Sequence, residues 1–183
     1  MLAEHQRELI KRSKYKDKIL YLYNNPELAH SSFFTERGLK EIIPRDGYED
    51  LVIYNPFIHS NCLGTTIHIL GLEELFEPHP GNRFPVNEDR PGYVCEGSMF
   101  DFILSNQVEE ITSLELDCIV IRGENSTERD LFRDYFFLKH SGIYLGDNQY
   151  FQQMGLGMPF SVGDLFTQNP RDYPVTRFFR QKH

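Results

Sequence analysis

Residues 139–153, Lys-His-Ser-Gly-Ile-Tyr-Leu-Gly-Asp-Asn-Gln-Tyr-Phe-Gln-Gln, leave this chain few ways to fold. A run rich in β-formers from His140 to Leu145 meets Gly146-Asp147-Asn148, and a second such run, Gln149 to Gln153, follows at once. Two such runs around a pair of residues that tolerate positive φ read as a tight β-hairpin centred on Asp147-Asn148. Side chains alternate along a strand, so His140, Gly142 and Tyr144 share one face and Ser141, Ile143 and Leu145 the other. The small residues beside His140 are expected to leave open space over that face. Counting back from the turn puts Gln152 roughly across from His140, with Gln153 turned the opposite way.

A hairpin needs further strands and a cover. Leu116 to Ile121 is a compact apolar strand candidate, and short pieces at Pro159 to Val162 and Val175 to Arg180 are expected to complete an antiparallel sheet. The first half of the chain reads as helical. Leu9, Ile10, Ile19, Leu20 and Leu22 recur near helical spacing from Leu2 to Tyr23. A short helix is expected after Thr35 and before Pro44, a strand or extended lead-in at Leu51 to Tyr54, and a helix from Asn61 or Cys62 to about Phe76. Glu77 to Gly92 holds four prolines and two glycines, which requires a loop. Ser98 to Asn106 reads as a short helix, and Gly123 to Asp134 as a loop or small helix. Helices first and strands after is the pattern of an α+β domain, and 183 residues fit one domain with a proper core.

Charge and cysteine usage narrow the function. The formal net charge is −8, and the basic residues concentrate near the two ends, so no nucleic-acid partner is expected. Three cysteines, Cys62, Cys95 and Cys118, make an odd, widely spaced set that fits a reducing compartment better than a disulfide framework. The N-terminus lacks an apolar signal-peptide core, and no apolar run approaches eighteen residues. These features predict a soluble, cytoplasmic protein without a membrane span. They are also compatible with export that needs no signal peptide.

Three residue types point to one chemistry. Cys62 stands where a helix is expected to begin, and a helix N-terminus favours a thiolate through its N–H groups and partial positive charge. The same N–H groups suit an oxyanion formed when sulfur attacks a carbonyl. Gly64 permits close approach of a substrate or a neighbouring strand. His140 is the matching base, and the Gln152 amide can accept an imidazole N–H and so fix which ring nitrogen faces the thiol.

These residues carry a resemblance. His140-Ser-Gly-Ile-Tyr-Leu-Gly-Asp-Asn-Gln-Tyr-Phe-Gln152 resembles the histidine hairpin of NlpC/P60 cysteine peptidases, within the papain-like superfamily. Leu116-Asp117-Cys118-Ile119-Val120-Ile121 resembles the strand before it, Asn61-Cys62-Leu63-Gly64 the start of the nucleophile helix, and Val175 to Arg180 a closing strand. The resemblance covers roughly residues 50–180. It implies a papain-like core in which the nucleophile helix packs on an antiparallel half-barrel sheet, with residues 1–48 as an N-terminal helical extension.

It further implies Cys62 as nucleophile, His140 as base and Gln152 as the orienting residue, with Asn61, Leu63, Gly64 and Ser141 around the substrate. No cofactor or metal is implied. The expected partner is a peptide or other amide-containing substrate, cleaved through an acyl-enzyme intermediate; an acyltransferase would use the same cysteine. Members that cleave peptidoglycan carry Asp and Ser where this chain has Asn61 and Leu63, so a standard cell-wall substrate is not expected. The Asn-Cys pair also resembles lecithin-retinol-acyltransferase-like proteins, but in those the histidine precedes the cysteine.

Other readings have weaker support. His59 and Cys62 have one zinc-like spacing, but no second pair follows, and His68 falls on a different helical face from Cys62. Asp147 and Asp117 are better explained as a turn residue and a strand-opening residue than as paired carboxylates. Gly155 and Gly157 lack the lysine of a phosphate loop. The alternative of another class is a binding module that keeps Cys62 and His140 idle.

Overall fold

The computed structural model describes residues 2–30, 61–72, 102–103, 107–125, 136–155, 157–166 and 173–182. Within them lie helices α1 (Glu4–Arg12), α2 (Lys16–Asn24) and α3 (Cys62–Leu70), with a 3-10 turn at Pro26–His30. The strands are β1 (Val108–Ile111), β2 (Ile119–Asn125), β3 (Phe136–Gly146), β4 (Gln149–Gln153), β5 (Phe160–Asp164) and β6 (Val175–Gln181). They form one open antiparallel sheet in the order β1-β6-β2-β3-β4-β5. The helix expected after Thr35, the run Leu51 to Tyr54 and the loop Glu77 to Gly92 lie outside the described residues. Of the expected helix Ser98 to Asn106, only residues 102 and 103 are described in helical conformation, with Phe102 in the core.

The single helix expected over Leu2 to Tyr23 is two. At Ser13 the backbone turns extended, with ψ 140°. The Ser13 hydroxyl donates to the Asp117 carboxylate, and the Lys14 N–H donates to Asp117 Oδ2 at 2.9 Å. Asp117 holds that position from the left-handed region, at φ 67°. The break is therefore made by a side chain 104 residues away, and no local glycine or proline marks it. The same turn delays β2: Cys118 N–H bonds the Glu115 carbonyl at 3.0 Å, and the strand starts at Ile119 instead of Leu116. It then runs to Asn125, into part of the expected loop.

The sheet is covered on one face by the helices. Leu9, Ile10, Ile19 and Leu22 from α1 and α2 join Leu63, Ile67 and Ile69 from α3 in one hydrophobic cluster with Ile119, Ile121, Ile143, Leu145, Phe151 and Phe179. The two N-terminal helices thus contribute directly to the core. Cys118, Val120, Tyr144, Tyr150 and Leu165 form a second cluster on the other face. Helix α3 is short because Gly71, at φ 71°, closes it: Gly71 N–H bonds the His68 carbonyl at 3.0 Å and Leu72 N–H that of Ile67 at 3.2 Å.

The β3–β4 hairpin turns at Asp147 and Asn148, both at positive φ (48° and 59°), as a two-residue primed turn requires. Its register has one irregularity. Gly146 pairs with Gln149, but Tyr144, not Leu145, pairs with Tyr150, so Leu145 is an extra residue in β3. From there Ile143 faces Phe151 and Gly142 faces Gln152. Without the bulge Gln152 would oppose Ile143 and point to the helix face; with it, Gln152 shares the face of Gly142 and His140.

Gly142 does not leave open space, as the sequence suggests. A Cβ there would run into the Phe151 carbonyl oxygen and come within 2.7 Å of Tyr150 Cδ2, so the Tyr150 ring lies over the glycine. A backbone oxygen cannot move aside cheaply. Gly142→Ala is expected to destabilise the fold by about 1–3 kcal/mol, read as a lower urea midpoint at an unchanged m-value. An unshifted midpoint would show that the hairpin tolerates a methyl group there.

Candidate active site

Asn61 starts α3 as its N-cap, with its Oδ1 accepting from Gly64 N–H at 2.8 Å. Cys62 is accordingly the first helical residue, as the sequence predicts. The Cys62 carbonyl is tied to the sheet: the Thr66 hydroxyl is 2.9 Å and the Ser141 hydroxyl 3.0 Å from it, and the two hydroxyls are 2.8 Å apart. One turn of the helix further, the Thr65 hydroxyl donates to Gln153 Oε1 at 2.7 Å. Buried hydroxyls of this kind must be satisfied, so the network fixes the start of α3 against β3 and β4.

The four residues expected around a substrate lie at the cysteine-bearing turn and on the strand beside it. Ser141 is wholly buried and spends its hydroxyl on Cys62 and Thr66. Asn61 is the helix cap, and Leu63 and Gly64 are buried with it. Their local role is to build and seat the cysteine-bearing turn.

His140 lies on the opposite face of the sheet, 3% exposed. Its Nε2 meets Gln152 Oε1 at 2.5 Å. A carbonyl oxygen only accepts, so Nε2 carries the proton and Nδ1 is left as the basic nitrogen. The amide nitrogen of Gln152 is buried without a hydrogen bond among the described residues, which leaves the carbonyl oxygen as the end committed to the imidazole. Burial holds the imidazole well below its ordinary value, down to about 4; the Gln152 hydrogen bond opposes that shift and the Arg122 charge adds to it.

Around this pair stand Tyr150, Tyr173 and Arg122. The His140 ring is 6.1 Å from that of Tyr150, edge-on, and 5.7 Å from that of Tyr173, tilted by 35°. Burial pushes the Tyr150 phenol up to about 12; Arg122 opposes this, while Tyr173 and Cys62 contribute in the same direction as burial. β4 ends at Gln153, so next to His140 the β4 side of β3 is no longer occupied by that strand. The sequence reading missed Arg122, whose one signal is a charge inside the apolar run Ile119-Val-Ile-Arg-Gly123.

The remaining thiol offers a contrast. Cys118 is a free cysteine like Cys62, but burial pushes it up to about 11, and the Glu115 and Asp117 carboxylates add to the rise. Among the described residues no group of three or more His, Cys, Asp or Glu is placed to hold a metal ion. Also among them, no helix is long and apolar enough to cross a membrane. No family model, curated protein or solved structure matches the chain.

The buried imidazole has a consequence for stability. Below pH 6.5 the unfolded chain takes up a proton at His140 that the folded chain refuses until about pH 4. Folding free energy should therefore fall by up to about 3 kcal/mol between those limits on account of this one group, and be unaffected by it above pH 6.5. Urea unfolding of the protein and of a His140→Gln variant across that range measures the difference. Parallel pH profiles would contradict a buried, neutral imidazole.

Proposed function

We propose that the chain is a thiol hydrolase of NlpC/P60-like type, cleaving an amide or peptide bond with Cys62 as nucleophile, His140 as base and Gln152 as orienting residue. The observation that carries this reading is the buried His140–Gln152 hydrogen bond, which commits Nε2 as a donor and leaves Nδ1 as a base. The position of Cys62 at a capped helix start supports it from the other side.

In the proposed reaction Nδ1 takes the Cys62 proton as the sulfur attacks the carbonyl carbon. The carbonyl π electrons move to oxygen. The oxyanion is assigned to the backbone N–H of Cys62 at the helix N-terminus, while Gly64 N–H is spent on Asn61 Oδ1 and Thr65 N–H on the Asn61 carbonyl. As the tetrahedral centre collapses, the C–N bond breaks and His140 returns its proton to the departing amine. Water, deprotonated by Nδ1, then cleaves the thioester and restores the thiol. Asn61 and Leu63 replace the residues of peptidoglycan-cleaving members, which favours a different peptide or amide substrate. Free thiols at Cys62 and Cys118 support a reducing, cytoplasmic setting.

A second reading rests on burial. With Cys62 at 7% and His140 at 3% exposure, the same fold would also serve as a non-catalytic binding module.

Alkylation separates the two. Iodoacetamide should modify Cys62 ahead of Cys118 and react well below the unperturbed thiol pKa of about 8.5; His140→Ala should slow it about a hundredfold. Peptide mapping of the labelled chain measures both. Ordinary thiol titration at Cys62, unchanged by His140→Ala, would leave only the binding module.

A further inference from the structure

Arg122 is the directly paired cross-strand neighbour of His140, on the same face of the sheet, and is 3% exposed. Its guanidinium carbon lies 4.9 Å over the Tyr173 ring, and its Nη1 is 3.5 Å from the Tyr150 hydroxyl. These are the same two rings that flank the imidazole. A permanent cation and a titratable base thus share one pair of aromatic walls. The register irregularity between Arg122 and Gly123 falls immediately beyond this pair: Gly123 faces Leu138, and Lys139 is the extra residue. Lys139 is turned outward, where it pairs with Glu124 at 2.7 Å.

We propose that Arg122 is a positioning residue for His140, holding the imidazole in its singly protonated form by charge and fixing its ring through Tyr150 and Tyr173. The role deepens the thiol-hydrolase reading and rests on it. Among the described residues, the groups that face the imidazole are Arg122 from β2, Tyr150 and Gln152 from β4, and Tyr173 ahead of β6. Gln152 is neutral, and Tyr150 stays a neutral phenol far above neutrality. Among the described groups facing the ring, Arg122 is thus the fixed positive charge, and it opposes a second proton on His140. A neutral imidazole is what a general base requires before it can accept the thiol proton. Burial is the larger cause of the low titration of His140, and Arg122 adds to it in the same direction.

The test is an NMR titration of the His140 ring C–H in the full chain, for the protein and for Arg122→Met, Arg122→Gln and Arg122→Lys. Loss of the charge should raise the midpoint by roughly half a unit to one unit, a three- to tenfold gain in proton affinity. Arg122→Lys should keep the midpoint near that of the unaltered chain. The acid limb of Cys62 alkylation should move with it in the Met and Gln variants. Arg122→Gln retains polarity, so it serves if the methionine variant does not fold. A midpoint unmoved in a folded neutral variant overturns the proposal, even if alkylation still depends on His140. A midpoint that moves supports it independently, because the titration needs no turnover; alkylation indifferent to His140→Ala would then remove the hydrolase reading and leave the electrostatic coupling in place.

Discussion

One extra residue in a strand decides what this site can be. Side chains alternate with a period of two, so a shift of one position exchanges the faces of every residue beyond it. Leu145 supplies that shift in the β3–β4 hairpin. Beyond it, Gln152 opposes Gly142 and reaches the imidazole, and Tyr150 covers the glycine. Phe151 turns to Ile143 and the core, while Gln153 turns to Thr65 on α3. Two adjacent glutamines thereby serve opposite faces of the sheet, one orienting a ring and the other seating a helix.

The helix side depends on a compact polar network. The Asn61 cap begins α3 at Cys62, and Thr66 and Ser141 fasten the Cys62 carbonyl to the strand position next to His140. The cysteine-bearing turn and the histidine are therefore referred to the same stretch of β3 from its two faces. Cys118 sits instead in the apolar cluster on the other face, where burial pushes its thiol up to about 11.

The hairpin was legible because its information is local. Asp147-Asn148 tolerate positive φ, and the flanking runs show β character. The start of α3 was legible for the same reason, through a helical pattern that begins at Asn61 or Cys62. Register was not legible, because an inserted Leu145 looks like any other apolar strand residue. The break at Ser13 was hidden because Asp117 makes it from the far side of the sequence. Gly142 suggests space but is a contact, since a glycine gives no hint of whether a ring will lie over it. Ser141 and Asn61 also seat the cysteine-bearing turn by hydrogen bonds to backbone groups, a role that a polar residue beside a nucleophile does not announce. The short edge strand β1 carries only four residues and no turn signature, and it escaped notice.

The hairpin register commits His140 Nε2 to Gln152 and leaves Nδ1 as the unprotonated nitrogen. Nitrogen-15 NMR of the imidazole at neutral pH tests this most directly, with His140 assigned by comparison with a His140→Gln variant. A neutral ring with its proton on Nε2 is expected, with loss of that tautomer's dominance in Gln152→Ala. A ring protonated on Nδ1, or on both nitrogens at neutral pH, would contradict it.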